Sequence, residues 1–150
     1  ANPTIQIIFT VSPVRHIRDG IVESNRSKAR LIEAVHDLCG RYEQAYYFPA
    51  YELLIDVMRD YRYYDTDLVH PTKTAVSLIW EQFMNNCIDE ETQGLIKEIA
   101  DINTAYQHRP RFAETEAHQE FLQTYGQKLR VLSEKYPYIN LEEEYKYFSK

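Results

Sequence analysis

Apolar and β-branched residues run almost unbroken through Ile5-Gln6-Ile7-Ile8-Phe9-Thr10-Val11, the pattern of a strand covered on both faces in a parallel sheet. Ser12-Pro13 ends it. A polar loop from Arg15 to Glu23 follows, and then Ala29, Ile32, Val35 and Cys39 fall at helical spacing, with Leu31 and Leu38 widening the stripe. This predicts a helix over about 25–39 with Gly40 as its stop. A second short apolar run, Ala45-Tyr46-Tyr47-Phe48, closes at Pro49. The order strand, helix, strand makes one βαβ crossover, right-handed by the usual rule, so the fold class is α/β.

Further along, 51–58 has the pattern of a short helix, and 60–72 is a polar, tyrosine-rich loop ending in His70-Pro71. Thr72 is a plausible N-cap for a helix whose residues Val76, Ile79, Trp80 and Phe83 share one face. Two longer stripes predict helices over about 91–106 (Leu95, Ile96, Ile99, Ile102, Tyr106) and 114–135 (His118, Phe121, Leu122, Tyr125, Leu129, Leu132). With His108-Arg109-Pro110-Arg111 as the turn, they form an antiparallel αα-hairpin. The expected organisation is an α/β portion over 1–88 and a helical extension packed on it over 89–150.

Two parallel strands with one crossover helix make a narrow sheet whose edges are open and whose faces are hard to cover. The chain also opens at Ala1, without methionine, just ahead of the first strand. Both features predict that further strands precede it, or that a second copy supplies them as a homo-oligomer or strand-swapped dimer.

Composition narrows the function classes. At 150 residues, 44% hydrophobic and 27% charged, the chain fits a globular domain. No apolar run approaches the roughly 20 residues a membrane-spanning helix needs, and no secretory leader pattern opens the chain, so a soluble, by default cytoplasmic, protein is expected. A net charge of -6, with 8 basic against 13 acidic residues from position 76 onward, argues against nucleic-acid binding. Cys39 and Cys87 lack paired spacing and are expected as buried free thiols. No H-E-x-x-H or C-x-x-C pattern is present, and neither a metal nor a cofactor is expected.

The sharpest local feature is Asp67-Leu68-Val69-His70-Pro71. An aspartate three residues before a histidine can bond one imidazole nitrogen and fix the tautomer, leaving the other nitrogen free as a general base. Pro71 restricts His70 to an extended backbone. The spacing alone fits more readily a turn-forming aspartate beside a surface or packing histidine. Ser12, Arg15 and His16 follow the first strand, where ligands gather in open α/β sheets, and are candidate substrate-binding residues. Arg15 and Arg18 either bind a carboxylate or phosphate or pair with Asp19 or Glu23. Ser12 lacks a Gly-x-Ser-x-Gly elbow, and Pro13 removes a backbone donor beside it, so it is not read as a nucleophile. His36 and His118 lie on helices and His108 in a turn, and none suggests a site. Thirteen tyrosines, seven between Tyr42 and Tyr64, would suit a carbohydrate or acyl cleft or simple packing at the sheet edge.

The D-x-x-H-P pattern before an amphipathic helix resembles the last sequence block of the SGNH (GDSL-like) hydrolases, a flavodoxin-like α/β group of serine esterases and acyl hydrolases. Three stretches together resemble, more specifically, the C-terminal half of the GSCFA family. They are Thr10-Val11-Ser12-Pro13-Val14-Arg15-His16 with Asp19-Gly20, then Glu23-Ser24-Asn25-Arg26-Ser27-Lys28-Ala29, and Tyr46-Tyr47-Phe48-Pro49-Ala50-Tyr51-Glu52 leading to Asp67–His70. The resemblance covers about residues 5–85. It implies an incomplete flavodoxin-like sheet and a serine hydrolase with His70 as base and Asp67 as its orienting acid, acting on a small ester or an acylated glycan. The family's Gly-Ser-Cys-Phe-Ala motif, with its presumed nucleophile, has no match here, and neither Gly-Asp-Ser nor Gly-x-Asn-Asp occurs. Half a site is therefore expected, inactive alone, with the serine upstream of Ala1. The alternative is a non-catalytic module whose helical hairpin binds a protein partner, for which an exposed apolar patch on the hairpin would be the mark.

Overall fold

The computed structural model describes residues 2, 4–109 and 114–149. The chain divides into two compact units, Ala1–Ile88 and Asp89–Lys150.

In the first unit, β1 (Ile7–Phe9) and β2 (Ala45–Tyr47) pair in parallel, Ile7 opposite Ala45 and Phe9 opposite Tyr47, with α1 (Ile21–Arg41) between them in the chain. The strand is shorter than its apolar run, and it is not covered on both faces. Ile5, Ile7 and Ile8 are 49%, 38% and 40% exposed, whereas Val11, just past the strand, is buried. Two strands alone provide too little sheet to enclose a continuous apolar run.

The helix starts earlier and ends later than its stripe. Gly20, at φ 90°, is its N-cap, in a backbone region that L side chains rarely adopt, and a short 3₁₀ turn at Ile17–Asp19 replaces part of the expected loop. Gly40 does not stop α1. The helix runs through it to Arg41, whose guanidinium pairs with Asp37 at 2.8 Å, and Tyr42 ends it in an extended conformation. Ser24 is buried on α1, and Lys28, Ile32, Val35 and Cys39 are half-buried, while Ala29, Leu31 and Leu38 are exposed.

After β2, α2 (Ala50–Glu52) passes into a π-helical stretch, Leu53–Val57, which places Leu54 in full burial. α3 (Lys73–Cys87) begins at Thr72, whose hydroxyl accepts the Ala75 N–H at 3.4 Å. Its buried residues are Ala75 and Met84, while Val76 and Trp80 are about half exposed, so the expected stripe is displaced around the helix. Phe83 meets Phe48 edge-on and stacks with Trp80. Among the described residues the buried hydrophobics of this unit are Val11, Ala45, Phe48, Leu54, Ala75 and Met84. Both cysteines are free and half-buried, less enclosed than expected.

The second unit holds α4 (Glu90–Gln107), α5 (Glu116–Lys135) and a short α6 (Glu142–Phe148). Asp89 and Thr115 cap the two longer helices. Ile102 and Ala105 from α4 pack with Leu122, Leu129 and Leu132 from α5, closed over by Tyr136, Leu141 and Phe148. The expected two-helix hairpin is thus a three-helix unit. Glu142-Glu143-Glu144 form the first turn of α6, where negative charge suits the helix N-terminus. Of the turn expected at 108–111, residues 110 and 111 lie outside the described residues. Among the described residues no helix is long and apolar enough to cross a membrane.

Candidate functional site

The loop between the π-helical stretch and α3 is tied back on itself. The Thr72 N–H donates to the Tyr63 carbonyl at 2.9 Å and the Asp65 N–H to the His70 carbonyl at 2.8 Å, while Tyr64 and Pro71 form an antiparallel bridge. Within this frame the Leu68 N–H donates to the Asp65 carbonyl at 2.8 Å, and Leu68 takes φ 57°. A leucine in left-handed backbone costs about 1–2 kcal/mol, which the surrounding ladder must offset.

That frame places Asp67 against His70. One carboxylate oxygen, Oδ1, accepts the N–H groups of Val69 at 2.9 Å and His70 at 3.0 Å. The other, Oδ2, lies 2.6 Å from His70 Nδ1. The two backbone and ring contacts from His70 and the N–H of Val69 hold the Asp67 carboxyl down at about 2, against 3.8 for a free group. The carboxylate is therefore ionised at neutral pH and can only accept, so Nδ1 carries the hydrogen. In the neutral ring Nε2 is then the bare acceptor. Both side chains remain about half exposed or more.

The other Asp–His pair shows how much this loop adds. His16 Nδ1 lies 3.4 Å from Asp19 Oδ2 at the same three-residue separation, and its backbone N–H donates to the buried Ser24 hydroxyl at 3.2 Å. Among the described residues, no backbone N–H holds the Asp19 carboxylate as those of Val69 and His70 hold Asp67. Ser24 thus anchors the segment after β1 onto α1, a role signalled only by a small hydroxyl residue near the start of a helix.

A concavity of about 610 Å³ opens beside Asp67, lined by Asp67, Leu68 and Val69 together with Arg15, Ile17, Ile21, Arg59, Asp60, Tyr61 and Tyr64, and His70 is not part of its lining. The structure thus brings Arg15 and Asp67 to one surface. Ser12 and His16 do not line it. The Ser12 hydroxyl accepts the Val14 N–H at 3.2 Å, and His16 is engaged as described. Glu23 pairs with Arg26 and Asp19 with His16, so neither acid takes Arg15 or Arg18. Arg59 had no signal in the sequence, because only the folded loop brings it to the concavity that Arg15 also lines. Among the described residues no cluster of three or more His, Cys, Asp or Glu side chains could hold a metal ion.

Comparison with known families decides the relationship. The family described as GSCFA family matches residues 1–83, more than half of the chain, and GSCFA domain protein, C-terminal domain, matches residues 99–150. The chain belongs to the GSCFA family. No curated protein and no solved structure matches it. The GSCFA match spans the whole Asp67–His70 loop and ends within α3, while the C-terminal match takes in the second half of α4 and all of α5 and α6.

Proposed function

We propose that this GSCFA chain supplies the acid and the base of a serine ester or acyl hydrolase, with Asp67 orienting His70 and the nucleophilic serine lying outside these 150 residues. The observation that carries the reading is the 2.6 Å contact between Asp67 Oδ2 and His70 Nδ1, made by a carboxylate whose other oxygen is held by two backbone N–H groups. This arrangement fixes the tautomer and leaves Nε2 to take a proton from an attacking hydroxyl. The Ser12 and Ser24 hydroxyls are engaged with the backbone of Val14 and His16, and neither is bonded to His70. The substrate would be a small ester or an acylated glycan, with Arg15 at the rim of the site and Ser12 and His16 further along the same segment.

A partner-binding role for the helical unit has less to support it. Its stripes are closed over by α6, and its exposed large apolar side chains among the described residues are Val131, Tyr138 and Tyr145.

Nitrogen-15 NMR of the His70 ring tests the acid–base reading. At a pH where the ring is neutral, a protonated Nδ1 and an unprotonated Nε2 are expected, and Asp67→Ala should collapse this to the tautomer mixture of a free imidazole. A ring protonated at Nε2 in the wild-type chain would contradict the assignment.

A further inference from the structure

We propose that the concavity beside Asp67 is an oxyanion subsite in which Arg15 and Arg59 hold the anionic group of an amphiphilic acyl compound while Ile17, Ile21 and Leu68 receive its apolar part. As a statement about substrate it rests on the acid–base reading of Asp67 and His70.

The acids and the cations on this surface differ in what they engage. Two acids line it, but both are already engaged: Asp67 by His70 and two backbone N–H groups, Asp60 by the Arg62 N–H at 2.9 Å and the Arg62 guanidinium at 3.4 Å. Two cations line it as well, and among the described residues neither Arg15 nor Arg59 is in an ion pair. Arg26, Arg41, Arg62 and Arg130 all pair with acids of their own local segment, while Arg18 and Arg30, like Arg15 and Arg59, are in no ion pair among the described residues but do not line the concavity. Two unpaired guanidinium forks on one concave wall suit a carboxylate or phosphate, which such forks bind through paired N–H donors.

The apolar part of the wall is equally unspent. Ile17 is 60% exposed, Ile21 63% and Leu68 55%, and all three line the same concavity. Leu68 is held there in left-handed backbone, a conformation that a glycine or asparagine would adopt more readily. Strain kept at an exposed leucine beside the acid–base pair points to a use for that side chain. A ligand with a charged end and a hydrocarbon end satisfies both halves, and lies against Asp67, Leu68 and Val69.

The test is a titration of the 150-residue chain with n-octyl phosphate, octanoate, inorganic phosphate and 1-octanol, each below its aggregation threshold, read by methyl NMR of Ile17, Ile21 and Leu68. Saturable shifts with octyl phosphate or octanoate are expected, the stronger of the two naming the anion. Inorganic phosphate and octanol should each bind at least about tenfold more weakly. Arg59→Gln and Arg15→Gln should each lower affinity about tenfold, the worth of one charge-assisted hydrogen-bond set, with the remaining methyl spectrum unchanged. Octanol binding as well as octyl phosphate, or full affinity in Arg59→Gln, would overturn the subsite. His70→Ala should retain binding. The two readings therefore fail separately: a wrong His70 tautomer with anion-dependent binding intact would keep the subsite and remove its reaction.

Discussion

Leu54→Ala measures how much of the site's scaffold hangs on one side chain. Leu54 is 0% exposed and is the one large side chain of the first unit enclosed to that degree among the described residues. Truncation deletes three carbons, about 2.4 kcal/mol at roughly 0.8 kcal/mol each. The cavity left behind adds about 1 kcal/mol, for a total near 3 kcal/mol. A unit of 88 residues has a stability of about 4–13 kcal/mol at the usual 0.05–0.15 kcal/mol per residue. With six buried hydrophobic residues described in its core, half of them no larger than valine or alanine, the low end applies. The substitution should therefore remove most of the margin and loosen the loop that holds Asp67 and His70. Urea titration followed by the fluorescence of Trp80, the single tryptophan, reads this unit directly, because Trp80 stacks on Phe83 at 5.5 Å and Phe83 meets Phe48 at 5.1 Å. The expected loss is about 3 kcal/mol, while Val57→Ala, at a 71% exposed position, should stay within about 0.5 kcal/mol. A loss under about 1 kcal/mol for Leu54→Ala would refute the packing argument.

Asp67 should titrate near 2 by carboxyl carbon NMR, below the 3.8 of an unperturbed group. Since its folded value lies below the unfolded one, the stabilisation it lends the loop is fully present above about 3.8 and is lost as pH falls through about 2. An Asp67 midpoint at 3.8 or above would show that the three hydrogen bonds do not persist in solution. Thr72→Ala should destabilise the first turn of α3 by about 0.5–1 kcal/mol, the lower part of the range because its cap bond is long at 3.4 Å. Faster amide exchange at Ala75, with Met84 unaffected, would report it, and unchanged exchange at Ala75 would contradict the cap.

Elements with long periods and clear caps were legible in advance: α3 from Thr72, the stripes of α4 and α5, and two parallel strands separated by one crossover helix. Exposure was not. An apolar pattern tells which side chains prefer burial, but Ile7, Ile8, Leu31, Val76 and Trp80 lie exposed because two strands and the helices of their unit present too little surface to cover them. Gly40 misled because a glycine stops a helix only where a left-handed residue follows the last turn, and here the positive φ is at Gly20. Seven residues are too few to show a period, so α6 was invisible, and the stripes it covers read as a two-helix hairpin. At the site, the three-residue spacing allowed the Asp67–His70 contact without deciding it, and the structure makes it at 2.6 Å. The positive φ of Leu68 and the placing of Arg59 and Arg15 on one concavity depend on how the loop returns, which spacing does not encode.

The most direct test of the proposed chemistry is labelling by a fluorophosphonate, which captures serines activated by a neighbouring base. The chain would be extended at its N-terminus to include a Gly-Ser-Cys-Phe-Ala motif and compared with its His70→Ala and Asp67→Ala variants. Labelling of the wild type at a serine outside these 150 residues, abolished in His70→Ala and reduced in Asp67→Ala, is the predicted result. Undiminished labelling in His70→Ala, or none in the wild type, would contradict the assignment of His70 as the base.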